Sequence, residues 1–275
     1  MTFTIPRHYY FHVTGRCNCS CIYCYNRRNR FFGLWPRELT TRQLFHVFGE
    51  LIGFSPREIT LTGGEPLLRR DLEKISEYLL RVSPDSTLLS LNTNGSMVDA
   101  ENVQWLVESF DEIGISIDGF RCVNDRMRGA GAFDRAVKAV DLICGAGGLP
   151  SLSITRTSLN KDQIEGFIDY MQHEWGIRAF RINEVKLIGR AGKSPWLSSG
   201  GCSCDTIGDT LPGSQNSCFA GQKCFGQTMN ILPDGDCYPC HYLQEPSHLL
   251  GNLRKNPLSE ILQSMNDMKN RYSPS

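Results

Sequence analysis

Three thiols in one short loop, Cys17, Cys21 and Cys24, are the side chains best equipped for chemistry in this chain. They stand in Gly15-Arg16-Cys17-Asn18-Cys19-Ser20-Cys21-Ile22-Tyr23-Cys24-Tyr25, a C-x3-C-x2-C pattern with an aromatic residue just before the last cysteine. Three thiolates so close together can hold an iron–sulfur cube by three corners and leave the fourth iron open to a ligand; a fully ligated cube mostly moves electrons. Zinc is the competing occupant, but it favours four thiolate or imidazole ligands, and no fourth donor is evident beside the triple. His8 and His12, on opposite arms of a preceding strand, read as scaffold. Cys19 reads as a spectator, although a ligand set that includes it stays open. The second signal is Gly63-Gly64-Glu65-Pro66. Glycines let a backbone approach a ligand closely, and their carbonyls with the Glu65 carboxylate could receive an ammonium group. A tight turn alone would explain the glycines but not the acid.

A repeating frame is needed to bring these loops together, and the apolar periodicity supplies one. Strands are expected at Tyr9–Val13, Ile59–Thr62, Thr87–Leu91, Ile113–Ile117, Leu152–Thr155 and Ala179–Ile182. Helices are expected between them, the first from Thr40 to Gly53 with Thr40 and Gln43 as a capping box. Six β/α units predict a partial (β/α)6 TIM-like barrel, with chemistry at the carboxyl ends of its strands. The cysteine loop, Gly63–Pro66, Asn92–Gly95 and Ser116–Gly119 all fall on that rim. After Val185 the periodicity fails, and six of the twelve cysteines crowd between residues 202 and 240. The expected division is therefore a barrel over residues 1–188 and a small cysteine-rich extension over 189–275.

Composition narrows the function classes. Lys plus Arg and Asp plus Glu balance at 29 each, so nothing resembles the basic surface that nucleic acid demands. No run approaches a membrane span and no secretory signal opens the chain. Twelve cysteines without export point to metal ligands in a reducing cytoplasm instead of disulfides. Cys122 and Cys144 read as small buried residues of the barrel.

With the C-x3-C-x2-C triple and the GGEP turn in one barrel pattern, residues 8 to about 185 resemble the radical S-adenosylmethionine (radical SAM) enzymes. The resemblance implies a [4Fe–4S] cluster on Cys17, Cys21 and Cys24 that binds S-adenosylmethionine. It gives Gly63, Gly64 and Glu65 the amino group of the methionine moiety. Asn94 and Ser116, polar groups at strand ends, suit a ribose and a carboxylate. In the family's pattern Ser116 and Arg128 contact the carboxylate and ribose region. Ordinary turn chemistry at these positions, and Arg126 in place of Arg128, remain open. The implied reaction is reductive cleavage of S-adenosylmethionine to a 5′-deoxyadenosyl radical that abstracts hydrogen from a substrate carbon, with a flavodoxin or ferredoxin as reductant.

Cys218-x5-Cys224, followed by Cys240 after the hairpin turn Pro233-Asp234-Gly235, resembles the start of the SPASM/twitch extensions, as do Gly189-Arg190-Ala191 and Leu250-Gly251-Asn252-Leu253. That resemblance implies one auxiliary [4Fe–4S] cluster on Cys218, Cys224 and Cys240, with Cys237, Cys202 or Cys204 as fourth ligand, or an iron left open. No cysteine follows Cys240, so a second auxiliary cluster is not expected. A zinc ribbon on Cys202, Cys204, Cys237 and Cys240 is the alternative. His241, next to a ligand, is the candidate catalytic base, against a purely structural role.

The leading expectation is maturation of a ribosomal peptide. A dehydrogenase or epimerase of a sugar or aminoglycoside is the rival, and a non-catalytic iron–sulfur electron carrier is the reading from another class. Strand one begins almost at once, so a leader-binding segment is not expected before the barrel. Either a separate protein binds a leader, or the substrate is small.

Overall fold

The computed structural model of the protein describes residues 5–26, 38–198, 204–208 and 226–272. Six parallel strands form its centre: β1 (His8–Thr14), β2 (Glu58–Gly63), β3 (Leu88–Thr93), β4 (Glu112–Ser116), β5 (Pro150–Arg156) and β6 (Ala179–Glu184). They lie side by side in chain order, as successive β/α units require. The helices between them are α1 (Thr41–Ile52), α2 (Leu72–Val82), α3 (Val103–Ser109), α4 (Arg121–Arg128), α5 (Ala132–Gly145) and α6 (Ile164–Trp175). All six expected strands are present, and the partial (β/α)6 barrel stands. The Thr40–Gln43 capping box forms in both directions.

Period-two alternation in the strands decides what faces what. Ile59, Leu61, Leu89, Leu91, Leu152, Ile154, Phe180 and Ile182 join one continuous apolar core with the helices. Each fully buried Leu, Ile or Phe there contributes about 1.5–3 kcal/mol. Their neighbours Thr62, Asn92, Ser153, Arg181 and Asn183 open on the lumen instead. The barrel therefore carries its grease outside and a polar lining within.

The C-terminal residues are joined to that sheet. Strand β8 (Thr228–Ile231) pairs in parallel with β1, and β9 (Asp236–Tyr238) and β10 (Gly251–Asn252) follow antiparallel. On the far edge, β7 (Cys204–Gly208) runs antiparallel to β6. Helix α7 (Leu258–Tyr272) buries Leu258, Ile261, Leu262, Met265 and Met268 in the same core.

Two expectations need correction. Cys122 is exposed and Cys144 half-buried, because both sit on helices that turn those positions outward. His8 and His12 are not on opposite sides of β1: four residues apart on a strand, they share the inner face. His8 Nε2 lies 2.7 Å from the Thr60 hydroxyl, and His12 Nε2 lies 2.9 Å from Asn230 Oδ1.

Candidate active site

The cysteine loop leaves β1 over the carboxyl ends of the strands, where a cavity of about 290 Å³ opens. Cys17, Cys19, Cys21 and Cys24 line it, facing Gly63, Gly64, Asn94, Ser116 and Arg128 from the barrel loops and Cys240 and His241 from the C-terminal hairpin. Residues widely separated in sequence thus meet on one rim, as the β/α frame requires.

The double glycine is explained by close packing. A Cβ on Gly64 would overlap the Arg16 carbonyl, and one on Gly63, whose φ is 153°, would overlap that of Thr14. In their place Gly64 N–H donates to Thr14 O at 2.8 Å and Glu65 N–H donates to Arg16 O at 2.7 Å. The loop is gripped on its other side too. Gly189 packs where a Cβ would overlap the Cys24 carbonyl, so that Arg190 N–H reaches Cys24 O at 2.9 Å and its guanidinium reaches Cys21 O at 3.2 Å.

Glu65 is fully buried, and its carboxylate does not line the cavity. It accepts the Thr93 hydroxyl at 2.5 Å, the Asn94 N–H at 2.7 Å and the Leu67 N–H at 3.2 Å. The side chain therefore ties the turn after β2 to the end of β3, and only the backbone of the glycines faces the cavity. Asn94 in turn donates to Asn18 Oδ1 at 2.9 Å, joining β3 to the cysteine loop.

Burial pushes the Glu65 carboxyl up from 4.5 to about 7, against the opposing pull of its three hydrogen bonds. Because the folded state then holds the proton more tightly, stability contributed here falls as pH rises from about 4.5 to 7, by about 3 kcal/mol. In Glu65→Gln that slope should vanish. Urea unfolding of the apoprotein should show the variant's deficit largest at pH 5 and shrinking by pH 8; an equal deficit at both would refute the assignment.

Arg128, the expected cofactor contact, lines the cavity but is also paired. Its Nε and Nη2 donate to the two oxygens of Asp118 at 2.7 and 3.0 Å, and the Tyr23 hydroxyl donates to the same carboxylate at 2.5 Å. Asp118 has no exposed surface. Among the thiols, burial pushes Cys17 up to about 12. A hydrogen bond from Cys19 draws Cys21 down to about 7, with Arg128 adding to it.

Cys237 is not brought to Cys240. Its thiol is buried in the apolar core and donates to Gly235 O at 3.5 Å, because the inward position of β9 points away from the cavity. Cys202, Cys218 and Cys224 lie outside the described residues. His241 is half-buried and packs against Tyr10, ring centroids 4.0 Å apart, and Tyr25 lies 5.9 Å from it. Its Nδ1 has no hydrogen-bond partner. Burial, then the neighbouring His12, His8 and Arg181, hold its pKa well below the ordinary value, so the ring is neutral near pH 7.

Asp118, Tyr23, Gly189, Arg190 and Arg181 are the site residues the sequence reading left without a role. Gly189-Arg190 was visible as a motif and Asp118 as a strand-end acid. Arg181 announced itself only as a charged residue inside an alternating strand.

The donor set suits a soft, multi-iron group: four half-buried thiols on one loop around an open cavity. Among the described residues, no three His, Cys, Asp or Glu side chains converge as a single-ion site would need.

Two family models match the sequence. The sequence model of the radical SAM superfamily matches residues 11–173, and that of the SPASM iron–sulfur cluster-binding domain matches residues 218–273. A pre-heme d1 synthase of Dinoroseobacter shibae is 32% identical over 184 residues, 66% of this chain and 44% of its own length. The mycofactocin maturase MftC of Mycolicibacterium smegmatis is 28% identical over 270 residues, 88% of this chain and 66% of its own. The chain thus spans between about two fifths and two thirds of these relatives. Among solved structures, anSMEcpe with bound AdoMet superposes with a TM-score of 0.70 at 18% identity, covering 94% of this chain and 81% of that one. SuiB of Streptococcus suis, bound to its precursor peptide SuiA, gives 0.73 at 13% identity, covering 94% and 65%.

Proposed function

Since the chain belongs to the radical SAM superfamily, we propose that it is a peptide-maturing enzyme whose cavity rim holds the cluster on Cys17, Cys21 and Cys24. The observation that carries this reading is the convergence of the cysteine loop, the Gly63-Gly64 backbone, Asn94, Ser116, Arg128 and His241 on one cavity. Cys17, Cys21 and Cys24 would hold the [4Fe–4S] cluster, which would supply one-electron reductive cleavage of S-adenosylmethionine and with it the means of hydrogen abstraction from substrate.

The chain's own residues supply aim and shelter. The Gly63 and Gly64 backbone is the surface offered to the amino group, the Glu65 carboxylate being engaged within the fold. Asn94, Ser116 and Arg128 are the groups offered to the ribose and carboxylate. Tyr10, Tyr25 and Tyr242 wall the cavity on the hairpin side and exclude water there. His241, neutral and part of the cavity lining, is the proposed acceptor of a substrate proton.

A SPASM-type auxiliary cluster would use Cys240 with Cys218 and Cys224, while Cys237 stays in the core. MftC and SuiB, maturases by name or by their bound precursor peptide, favour a peptide over a sugar. A flavodoxin or ferredoxin is the proposed electron donor. No helix among the described residues is long and apolar enough to cross a membrane.

Anaerobically reconstituted protein given dithionite and S-adenosylmethionine should yield 5′-deoxyadenosine. Clusters without cleavage would leave only the electron-carrier reading.

A further inference from the structure

Among the described residues, the charged side chains lining the cavity are Arg128, Arg181, Lys186, Arg190 and Glu184. Arg128 is matched by Asp118, Glu184 is held by Arg156 at 3.0 Å, and Arg190 serves the Cys21 carbonyl. Arg181 differs. It stands mid-strand on β6 and opens into the polar lumen beside Tyr10, Asn92, Ser153 and Asn183. Among the described residues its ion pair is a 3.3 Å contact from Nη2 to Glu112 Oε1, which also accepts the Ser151 hydroxyl at 2.6 Å, and the Glu58 carboxylate acts on it from farther away. Glu112 does not line the cavity; it backs the guanidinium from behind. A guanidinium carries five N–H donors in a planar fork, so most of this one's capacity faces the lumen.

Keeping a cation whose side chain is only 15% exposed costs free energy unless it is well paired, and an apolar side chain would fill the strand position more cheaply. A planar fork with spare donors, ringed by hydroxyls and amides, is matched by a carboxylate, which accepts two parallel N–H bonds. From this we infer that Arg181 anchors a substrate carboxylate in the barrel lumen, below the rim where the thiols stand. Tyr10, Asn92, Ser153 and Asn183 complete the subsite. The substrate class is a carboxylate-bearing peptide segment, the charge coming either from a chain terminus or from an acidic side chain. This inference rests on the proposed function, since it names what that cavity admits.

Two capped amino acids and their neutral controls test it. N-acetylphenylalanine presents a terminal carboxylate, and N-acetylglutamic acid α-amide presents a side-chain one; N-acetylphenylalaninamide and N-acetylglutamine amide carry neither. Binding is measured by calorimetry on the reconstituted holoenzyme, with S-adenosylmethionine present and no reductant, so that the cofactor's own carboxylate is already placed. At least one acid should bind about tenfold or more tightly than its amide, consistent with a charge-assisted pair, and the stronger of the two identifies the source. Arg181→Gln should erase the preference. Because that change strands Glu112, the double variant Arg181→Gln/Glu112→Gln removes both charges and should lose the preference as well. Equal affinity for acid and amide, including none for either, overturns the inference, as does a preference that survives both variants. Formation of 5′-deoxyadenosine by the wild-type protein without probe is scored separately: cleavage with no carboxylate preference sinks the subsite alone, whereas absent cleavage sinks the proposed function.

Discussion

Asp118→Ala is expected to destabilise the apoprotein by about 3–5 kcal/mol, the cost of leaving one half of a buried ion pair without its partner. Its carboxylate meets Arg128 with two hydrogen bonds and also accepts the Tyr23 hydroxyl and the Thr155 N–H at 2.8 Å. The backbone is fixed as firmly, with its N–H donating to Asn124 and its carbonyl accepting from Asn160. Removing the side chain strands a buried guanidinium and unlatches Tyr23, whose neighbour Ile22 hydrogen-bonds to Met127 O on α4. Such a loss is a large part of the 5–15 kcal/mol that domains usually possess. Urea unfolding measures it directly. The double change Asp118→Asn/Arg128→Met should cost less than Asp118→Ala, because no charge is then left unpaired. A deficit under about 1 kcal/mol in the single variant would show that the pair contributes little.

The same residue shows what sequence can and cannot tell. Asp118 was visible as an acid closing the fourth strand, but its partner Arg128 ends a helix that periodicity does not announce. Only Asn124, Met127 and Arg128 of α4 are buried, too few for an apolar stripe. The strands were legible because their apolar faces alternate: Ile59-Thr60-Leu61-Thr62 can be satisfied only with one side in a core and the other elsewhere. The identity of that other side was the harder matter. Polar alternation reads equally as solvent or as lumen, and parallel pairing with helices outside decides for lumen. Arg181 became interpretable only then. Glu65 taught a related lesson. An acid beside two glycines suggested a ligand contact, yet the carboxylate is spent on Thr93, Asn94 and Leu67. Cys237 fits the spacing of a ligand, and one strand position turns it into the core instead.

Replacing Cys17, Cys21 and Cys24 together by alanine should abolish 5′-deoxyadenosine formation while removing only about half of the protein's iron, since the auxiliary cluster has its own thiols. The two effects should separate because the proposed ligands lie on different segments: the triple on a loop gripped by the Gly63-Gly64 turn and by Gly189-Arg190, and Cys240 on the hairpin after β9. Structural damage should be small, since the grip on the loop consists of backbone bonds at Thr14, Arg16, Cys21 and Cys24 that alanine preserves. Cys19→Ala supplies the contrast. Its thiol hydrogen-bonds to Cys21, so its loss should alter the thiol's ionisation in the apoprotein yet leave cluster iron and cleavage in place. Iron analysis beside the cleavage assay reads both variants. If the triple variant kept all its iron, or Cys19→Ala lost cleavage as completely as the triple, the ligand assignment at the rim would be wrong.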